Sequence, residues 1–114
     1  MKGKLGDEAR LKHIFDAIVE IETYIHNVDI DEFIGNSMMR FACIKQIEII
    51  GEASNHVTKE TQLRFEDIEW RKIIGLRNIV IHEYFGIDFE VIWGIIKSDI
   101  PDLKAKIENI LNQL

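Results

Sequence analysis

The sequence predicts an all-α protein, an antiparallel up-and-down bundle of four main helices with short helical pieces between them. Apolar residues recur at steps of three and four along most of the chain, which is the spacing of one helix face. No stretch alternates apolar and polar residues between turn signals, as a half-buried strand would. The 114 residues include one proline and seven glycines, so breaks are few, and short connections make neighbouring helices antiparallel.

The first predicted helix runs from about Asp7 to Asn27 and has one continuous apolar face. That face consists of Leu11, Ile14, Phe15, Ile18, Ile21 and Ile25. Asp7 and Glu8 lie in the first predicted turn, where the helix dipole favours negative charge. The acidic segment from Val28 to Gly35 follows, and it predicts a turn with one short helical piece.

The second long helix is capped by Asn36 or Ser37 and runs to about Val57. Its Gly51-Glu52-Ala53 segment contains small residues that allow another helix to approach closely. The polar segment from Thr58 to Asp67 predicts a turn and a short helix.

The third long helix begins near Asp67 or Glu69. Its helix-spaced residues are Trp70, Ile73, Ile74, Arg77, Val80 and Ile81. The β-branched run Ile79-Val80-Ile81 is short and lies inside this helical pattern, so it does not predict a strand.

Two more helices are predicted near the C-terminus. A turn at Gly86-Ile87 precedes Asp88, which is placed to cap a helix from Phe89 to Lys97. Pro101 suits the first turn of a last helix that ends near Leu111.

Composition limits the classes of function. The length suits one domain, and 46% hydrophobic with 30% charged residues argues against disorder. A net charge of −6 argues against a module that holds duplex nucleic acid through a broad basic face, but it allows a small cationic site. The single Cys43 excludes an intrachain disulfide and is predicted to be a buried thiol. No apolar run follows the charged N-terminus as in a signal peptide, and the longest apolar stretch, Val91 to Ile96, is far too short to cross a bilayer, so we expect a cytoplasmic protein without membrane contact.

The segment from Arg77 to Tyr84 contains the candidate chemistry. A cation, a proton-carrying imidazole and a phenol within eight residues suit phosphate-ester chemistry. Because Arg77 falls on an apolar stripe, it needs a carboxylate, a partner subunit or a bound phosphate. His82 follows Arg77 by five residues, about 140° around a straight helix. Either the helix ends or distorts near Ile81, or the site joins groups from two chains.

Structural roles are the alternative interpretation of each group. Arg77 would then pair with an acidic residue, while His82 and Tyr84 would belong to the core. Glu48 and Glu52 are four residues apart, which suggests a metal site, but the missing second pair favours a solvated or salt-bridged face. The remaining histidines, which we expect to be solvated, are His13, His26 and His56. Trp70 and Trp93 are expected to be packing anchors.

The pattern Arg-Asn-x-x-x-His-x-Tyr resembles the R-x-x-x-x-H-x-Y signature of HEPN domains, specifically of the HepT-like toxins. Other segments resemble the same family in the expected order: Leu11-Lys12-His13-Ile14 with Ile18 and Ile21, Ile49-Ile50-Gly51-Glu52-Ala53, Trp70 to Asn78, His82 to Asp88, Val91-Ile92-Trp93 and Asp99-Ile100-Pro101. The resemblance covers almost the whole chain, so residues 1–114 are interpreted as one such domain. One departure is Glu69, where family members often have proline.

The resemblance implies a helical bundle that forms a homodimer, with both motifs facing a cleft that cuts RNA without metal or cofactor. His82 would be the general base or acid, and Arg77 would hold the scissile phosphate. Asn78 would orient the histidine or bind a phosphate oxygen. Attack by the ribose 2′-hydroxyl predicts a cyclic phosphate product and predicts that DNA is not cleaved.

Tyr84 has a separate role by the same resemblance. Similar proteins are toxins whose antitoxin is a small nucleotidyltransferase that transfers AMP from ATP to the motif tyrosine. The modification would block RNA phosphates by bulk and negative charge. Two other hypotheses are a non-catalytic helical subunit that completes a nucleotidyltransferase complex and a plain dimerisation module.

Overall fold

The computed structural model describes the backbone of residues 3–82, 86 and 88–114, and the side chains of residues 6–78, 86 and 88–114. Most of these residues are helical, and none of them forms a strand. The prediction of an all-α helical bundle is therefore confirmed. None of the helices in this part of the chain combines the length and apolar character required to cross a bilayer.

Four long helical stretches build the bundle, and two short helices connect them. The first half of the described chain contains α1 (Gly3–Tyr24), α2 (Ile30–Gly35), α3 (Ser37–Asn55) and α4 (Lys59–Arg64). The second half contains α5 (Trp70–His82), α6 (Phe89–Gly94), a π-helical turn (Ile95–Asp99) and α7 (Ile100–Gln113).

Pro101 lies in the first turn of α7 as predicted, but α7 is not separate from the helix before it, because α6, the π-helical turn and α7 form one continuous stretch. Gly94, Ile95 and Ile100 all have right-handed helical dihedral angles, and the Ile100 amide donates to the Ile95 carbonyl, five residues back. Proline has no amide hydrogen and crowds the carbonyl four residues earlier in a regular helix. The wider π-helical turn lies immediately before this proline, so the helix continues through it.

The helix caps confirm most of the predicted boundaries. Of the two candidates for α3, Asn36 is the cap, and its side chain accepts from the Met39 amide at 3.0 Å. Asp88 caps α6 by accepting from the Glu90 amide at 2.9 Å. Asn27 has a positive φ of 57°, a conformation that asparagine tolerates better than most residues, just beyond α1.

Asp7 does not lie in the first turn of α1, because that helix begins at Gly3. Its buried carboxylate instead accepts from the Thr58 amide at 2.9 Å and from the Thr58 hydroxyl at 2.6 Å, and the Thr61 hydroxyl also donates to it. We call this contact the Asp7 clamp. It ties the start of α1 to the start of α4, three residues after the end of α3, and so contributes to the antiparallel packing of α1 and α3.

The core lies where α3 packs against both α1 and α5, while α7 covers α1. Buried isoleucines dominate it, and its fully enclosed members include Ile14, Ile18, Ile21, Ile47, Ile50, Ile107 and Ile110. Trp70 is buried, and its indole N–H donates to the Phe65 carbonyl at 3.0 Å. Trp93 is half-buried, and its ring centroid lies 5.0 Å from that of Phe33. The predicted anchor role is confirmed for both tryptophans.

The crossing of α3 and α5 is tight at Gly51. A Cβ atom added there would lie 2.8 Å from the Arg77 amide nitrogen and 3.0 Å from the Arg77 Cβ. Atoms at those separations collide, so only glycine allows this approach of the two backbones. The predicted close approach at the Gly51-Glu52-Ala53 segment is therefore confirmed, and it occurs at the arginine of the motif.

Candidate functional site

Arg77 lies on the side of α5 that faces α3, and 28% of its side chain is exposed. Its Nη1 donates to the Glu52 Oε2 at 3.0 Å. Of the partners that the sequence left open, the structure therefore places a carboxylate of the same chain beside the guanidinium. The guanidinium has five N–H donors, and this contact engages Nη1 alone. An ion pair with Glu52 is therefore compatible with a phosphate on the other donors.

Glu52 connects Arg77 to a second basic group. Its other oxygen, Oε1, lies 3.2 Å from the His56 Nε2, one helical turn further along α3. The hydrogen bond from Arg77 is the main reason why the pKa of Glu52 lies below its ordinary value, and the His56 contact acts in the same direction. We call these two contacts the Glu52 bridge. Its 57% exposed carboxylate is charged at neutral pH and open to solvent.

The contacts of Glu48 and Glu52 distinguish between a metal site and a salt-bridged face at these two glutamates. Glu52 binds Arg77 and His56, while Glu48 lies 3.9 Å from Lys45. The interpretation as a salt-bridged face is therefore confirmed. No group of three or more histidine, cysteine, aspartate or glutamate side chains is placed to hold a metal ion in the part of the chain that the structure describes.

The other predicted site residues are only partly described. Asn78 is exposed on α5, beside Arg77 in the chain. The backbone of His82 belongs to α5, but its side chain lies outside the described residues, and so does the whole of Tyr84. The proposed roles of these residues remain predictions.

The described part of α5 leaves both alternatives for this motif open. The helix is described as far as His82, one residue after Ile81, and the residues that follow directly lie outside the described part. A regular helix places positions 77 and 82 about 140° apart around its axis. As long as the helix is regular, positions 77 and 82 of one chain do not converge, and a site that joins two chains stays a prediction.

Sequence reasoning missed part of this neighbourhood. His13, His26 and His56 are all exposed as predicted, but the engagement of His56 with Glu52 was not anticipated. The four-residue spacing of Glu52 and His56 was the available signal, because such residues are neighbours on a helix surface. Cys43 is buried as predicted, and burial raises the pKa of its thiol to about 11, which makes it a poor nucleophile.

An apolar patch lies on the same face of α3 as Glu52. It consists of Met38 and Phe41 of α3, which are 82% and 54% exposed, and of the partly buried Phe89, which packs on Phe41. The Phe41 and Phe89 rings meet edge to face at 6.3 Å. Met38 and Phe41 are 14 and 11 residues before Glu52, within about 40° of it around a regular helix.

Comparison with known proteins places the chain in a family. The family model described as "Ribonuclease HepT-like" matches residues 14–110. A Methanocaldococcus jannaschii protein named "Putative RNase MJ1380" is 40% identical over 101 residues, which cover 89% of this chain and 93% of that protein. A Thermococcus cleftensis protein named "Probable ribonuclease HepT" is 37% identical over 100 residues, covering 88% and 91%. No solved structure gave a significant match. The chain therefore belongs to the HepT-like ribonuclease family.

Proposed function

We propose that this protein is a metal-independent endoribonuclease and the toxin of a toxin–antitoxin pair. One observation carries the proposal: in a chain of the HepT-like ribonuclease family, α3 and α5 hold a partly exposed arginine at their closest crossing. A guanidinium suits an RNA phosphate, because its planar fork matches two phosphate oxygens. The names of the two relatives support RNA as the substrate.

The reaction requires one proton to leave the ribose 2′-hydroxyl and another to reach the leaving 5′-oxygen. His82 carries these protons as base or acid. Arg77 stabilises the charge that develops on the phosphate as the 2′-oxygen attacks. Asn78, exposed on the same helix, orients His82 or binds a phosphate oxygen. The products are a 2′,3′-cyclic phosphate and a 5′-hydroxyl.

The second chain of the proposed site is another copy of this protein. The angular separation of positions 77 and 82 on α5 supports a site assembled from two chains. The apolar patch supports self-association, since exposed apolar clusters mark interaction surfaces. Phe41→Glu should lower the dimer fraction in light scattering, whereas Leu63→Glu, at an exposed leucine of α4, should not.

The proposed antitoxin is a nucleotidyltransferase that uses ATP to modify Tyr84 in the cytoplasm. Its action would add an AMP group, which brings bulk and negative charge to the motif. Intact-mass measurement with such a partner and ATP should detect the mass of AMP on the wild type. A gain that persists in Tyr84→Phe would contradict the assignment of Tyr84.

Cleavage of RNA with EDTA present is the decisive experiment. Purified wild-type protein should cut a single-stranded RNA, yield cyclic phosphate ends and leave the 2′-deoxy version of the same sequence intact. His82→Ala should abolish cleavage while the circular dichroism spectrum stays helical, and His13→Ala, at an exposed histidine of α1, serves as the matched control. Intact RNA after incubation with active, nuclease-free wild type would refute the proposal.

The Glu52 bridge favours one alternative function. A carboxylate already neutralises Arg77, as it would in a non-catalytic subunit that completes a nucleotidyltransferase complex. In that case the wild type binds the transferase and changes its AMP transfer, but RNA remains uncut in the assay above.

A further inference from the structure

We propose that Glu52 is a positioning residue that holds Arg77 in the orientation that receives the scissile phosphate. The inference rests on the proposed ribonuclease function. It adds to the three-residue motif a carboxylate from another helix, 25 residues earlier in the chain.

Two neighbouring residues of α3 constrain Arg77 in different ways. Gly51 determines where the Arg77 backbone lies, since a Cβ there would come within 2.8 Å of its amide nitrogen. Glu52 determines where the side chain lies, through the 3.0 Å contact between Oε2 and Nη1. A long arginine side chain without such a contact would sample several rotamers. The pair of constraints therefore selects one direction for the guanidinium.

The carboxylate is itself held in place. Its Oε1 contacts the His56 Nε2 at 3.2 Å, and His56 is the C-cap residue of α3. Each Glu52 oxygen thus has its own partner, one on each side of the carboxylate. The contact with Glu52 engages Nη1 and does not use the edge of the guanidinium formed by Nε and Nη2, on which a phosphate can bind through two hydrogen bonds.

A role in stability alone would not explain this arrangement. Glu52 is 57% exposed, and ion pairs between exposed groups contribute little to folding because water and salt screen them. A carboxylate beside the phosphate site also repels the substrate. Glu52 should therefore weaken RNA binding slightly while it increases the rate of the bound complex, because a preoriented group loses less freedom at the transition state.

Steady-state cleavage of a short RNA separates these effects. Glu52→Ala should lower kcat by about 10- to 100-fold without raising KM, as expected for a misplaced phosphate-binding group. Glu52→Gln should recover part of kcat, because the amide oxygen can still accept from Nη1. Glu48→Gln is the matched control, since Glu48 lies one turn earlier and pairs with Lys45. A raised KM with unchanged kcat, or a kcat for Glu52→Ala within twofold of wild type, would overturn the proposal.

A second measurement does not depend on cleavage. Nitrogen-15 relaxation of the Arg77 Nε–Hε group, without RNA, should report an ordered side chain in wild type and in Glu48→Gln, and a mobile one in Glu52→Ala. An unchanged order parameter in Glu52→Ala overturns the positioning role whether or not RNA is cut. If wild type cuts no RNA but the Arg77 order falls in Glu52→Ala, the positioning of Arg77 stands and the proposed ribonuclease function fails.

Discussion

The Asp7 clamp and the Glu52 bridge are both carboxylates that join distant parts of the chain, but they lie in opposite surroundings. Asp7 is buried and binds Thr58 and Thr61, more than 50 residues away. Glu52 is exposed and binds Arg77, 25 residues away, from within α3. A buried carboxylate with three donors stabilises the fold, because each donor would otherwise be left unsatisfied. An exposed one orients a neighbour and contributes little to folding.

The largest effect should come from Arg77→Ala. We expect RNA cleavage to fall by about 100- to 1000-fold, the usual loss when a donor to a developing negative charge is removed. The thermal midpoint should change little, since the guanidinium is partly solvated. Arg71→Ala, at an exposed position on the same helix, is the control for lost charge. Equal cleavage by both variants would place the phosphate elsewhere.

Asp7→Ala should produce the largest loss of stability. Removing the carboxylate leaves the Thr58 amide and two hydroxyls without their partner, which should lower the free energy of unfolding by about 3 kcal/mol. Urea denaturation at pH 7 measures this change. Glu52→Ala, measured in parallel, should keep a near wild-type midpoint. A comparable loss in the two variants would mean that the bridge also supports the fold.

Gly51→Ala tests the helix crossing on which the bridge depends. The added methyl group meets backbone rather than a flexible side chain, so α5 must move, with an expected loss of about 1–3 kcal/mol. Gly75→Ala is the matched control, because a Cβ there meets nothing within 4 Å. That variant should be neutral or slightly stabilised, since alanine favours helices over glycine. If Gly51→Ala matches Gly75→Ala, the crossing is more tolerant than its geometry indicates.

The smallest expected effect is a change in how stability depends on pH in the acid range. Burial alone raises the pKa of Asp7, but the hydrogen bonds from Thr58 and Thr61 outweigh it, so the pKa lies below its ordinary value of 3.8. A carboxylate with a lowered pKa in the folded state stabilises the fold above the ordinary value. This stabilisation is lost as pH falls below 3.8 through the folded-state pKa. Urea midpoints from pH 6 to 2.5 should therefore decline less steeply in Asp7→Asn than in wild type.

Glu52→Gln is the comparison for that titration. The pKa of Glu52 is also lowered, chiefly by the hydrogen bond from Arg77, so its linkage to folding has the same sign. Because Glu52 is exposed, we expect the urea midpoint of Glu52→Gln to decline with falling pH as steeply as that of wild type. A shallower decline in Glu52→Gln would show that the exposed Glu52 stabilises the fold as the buried Asp7 does.

Local features of the fold were predictable because their causes are local. Asn36 and Asp88 cap helices through amides two or three residues away, so residue type and position indicate them. Two local predictions were wrong for contextual reasons. Pro101 lies in the first turn of a helix as predicted, but the π-helical turn joins that helix to α6 without the expected separation. Asp7 was expected in a first turn, but it is used in a tertiary contact.

The candidate site also has features that the sequence predicted and features that it did not. The sequence indicated Arg77 and the need for a partner, because a guanidinium on an apolar stripe is unfavourable alone. It also indicated a close helix approach at Gly51. It did not indicate that Arg77 lies at this close approach. Helix periodicity defines the faces of a helix, but it does not specify which turns of two helices meet. The role of His56 was missed because it depends on the contact with Glu52, which also binds Arg77 on another helix.

The sequence by itself determined the helical class, most of the caps and the identity of the reactive groups, because these follow from periodicity and side-chain chemistry over a few residues. Only the tertiary structure decided which carboxylate serves the fold and which serves Arg77. Asp7 and Glu52 are equally acidic in the sequence, but helix packing buries one against two threonines and leaves the other at the surface beside an arginine. Their different roles follow from solvent exposure and from the donors that packing brings within reach.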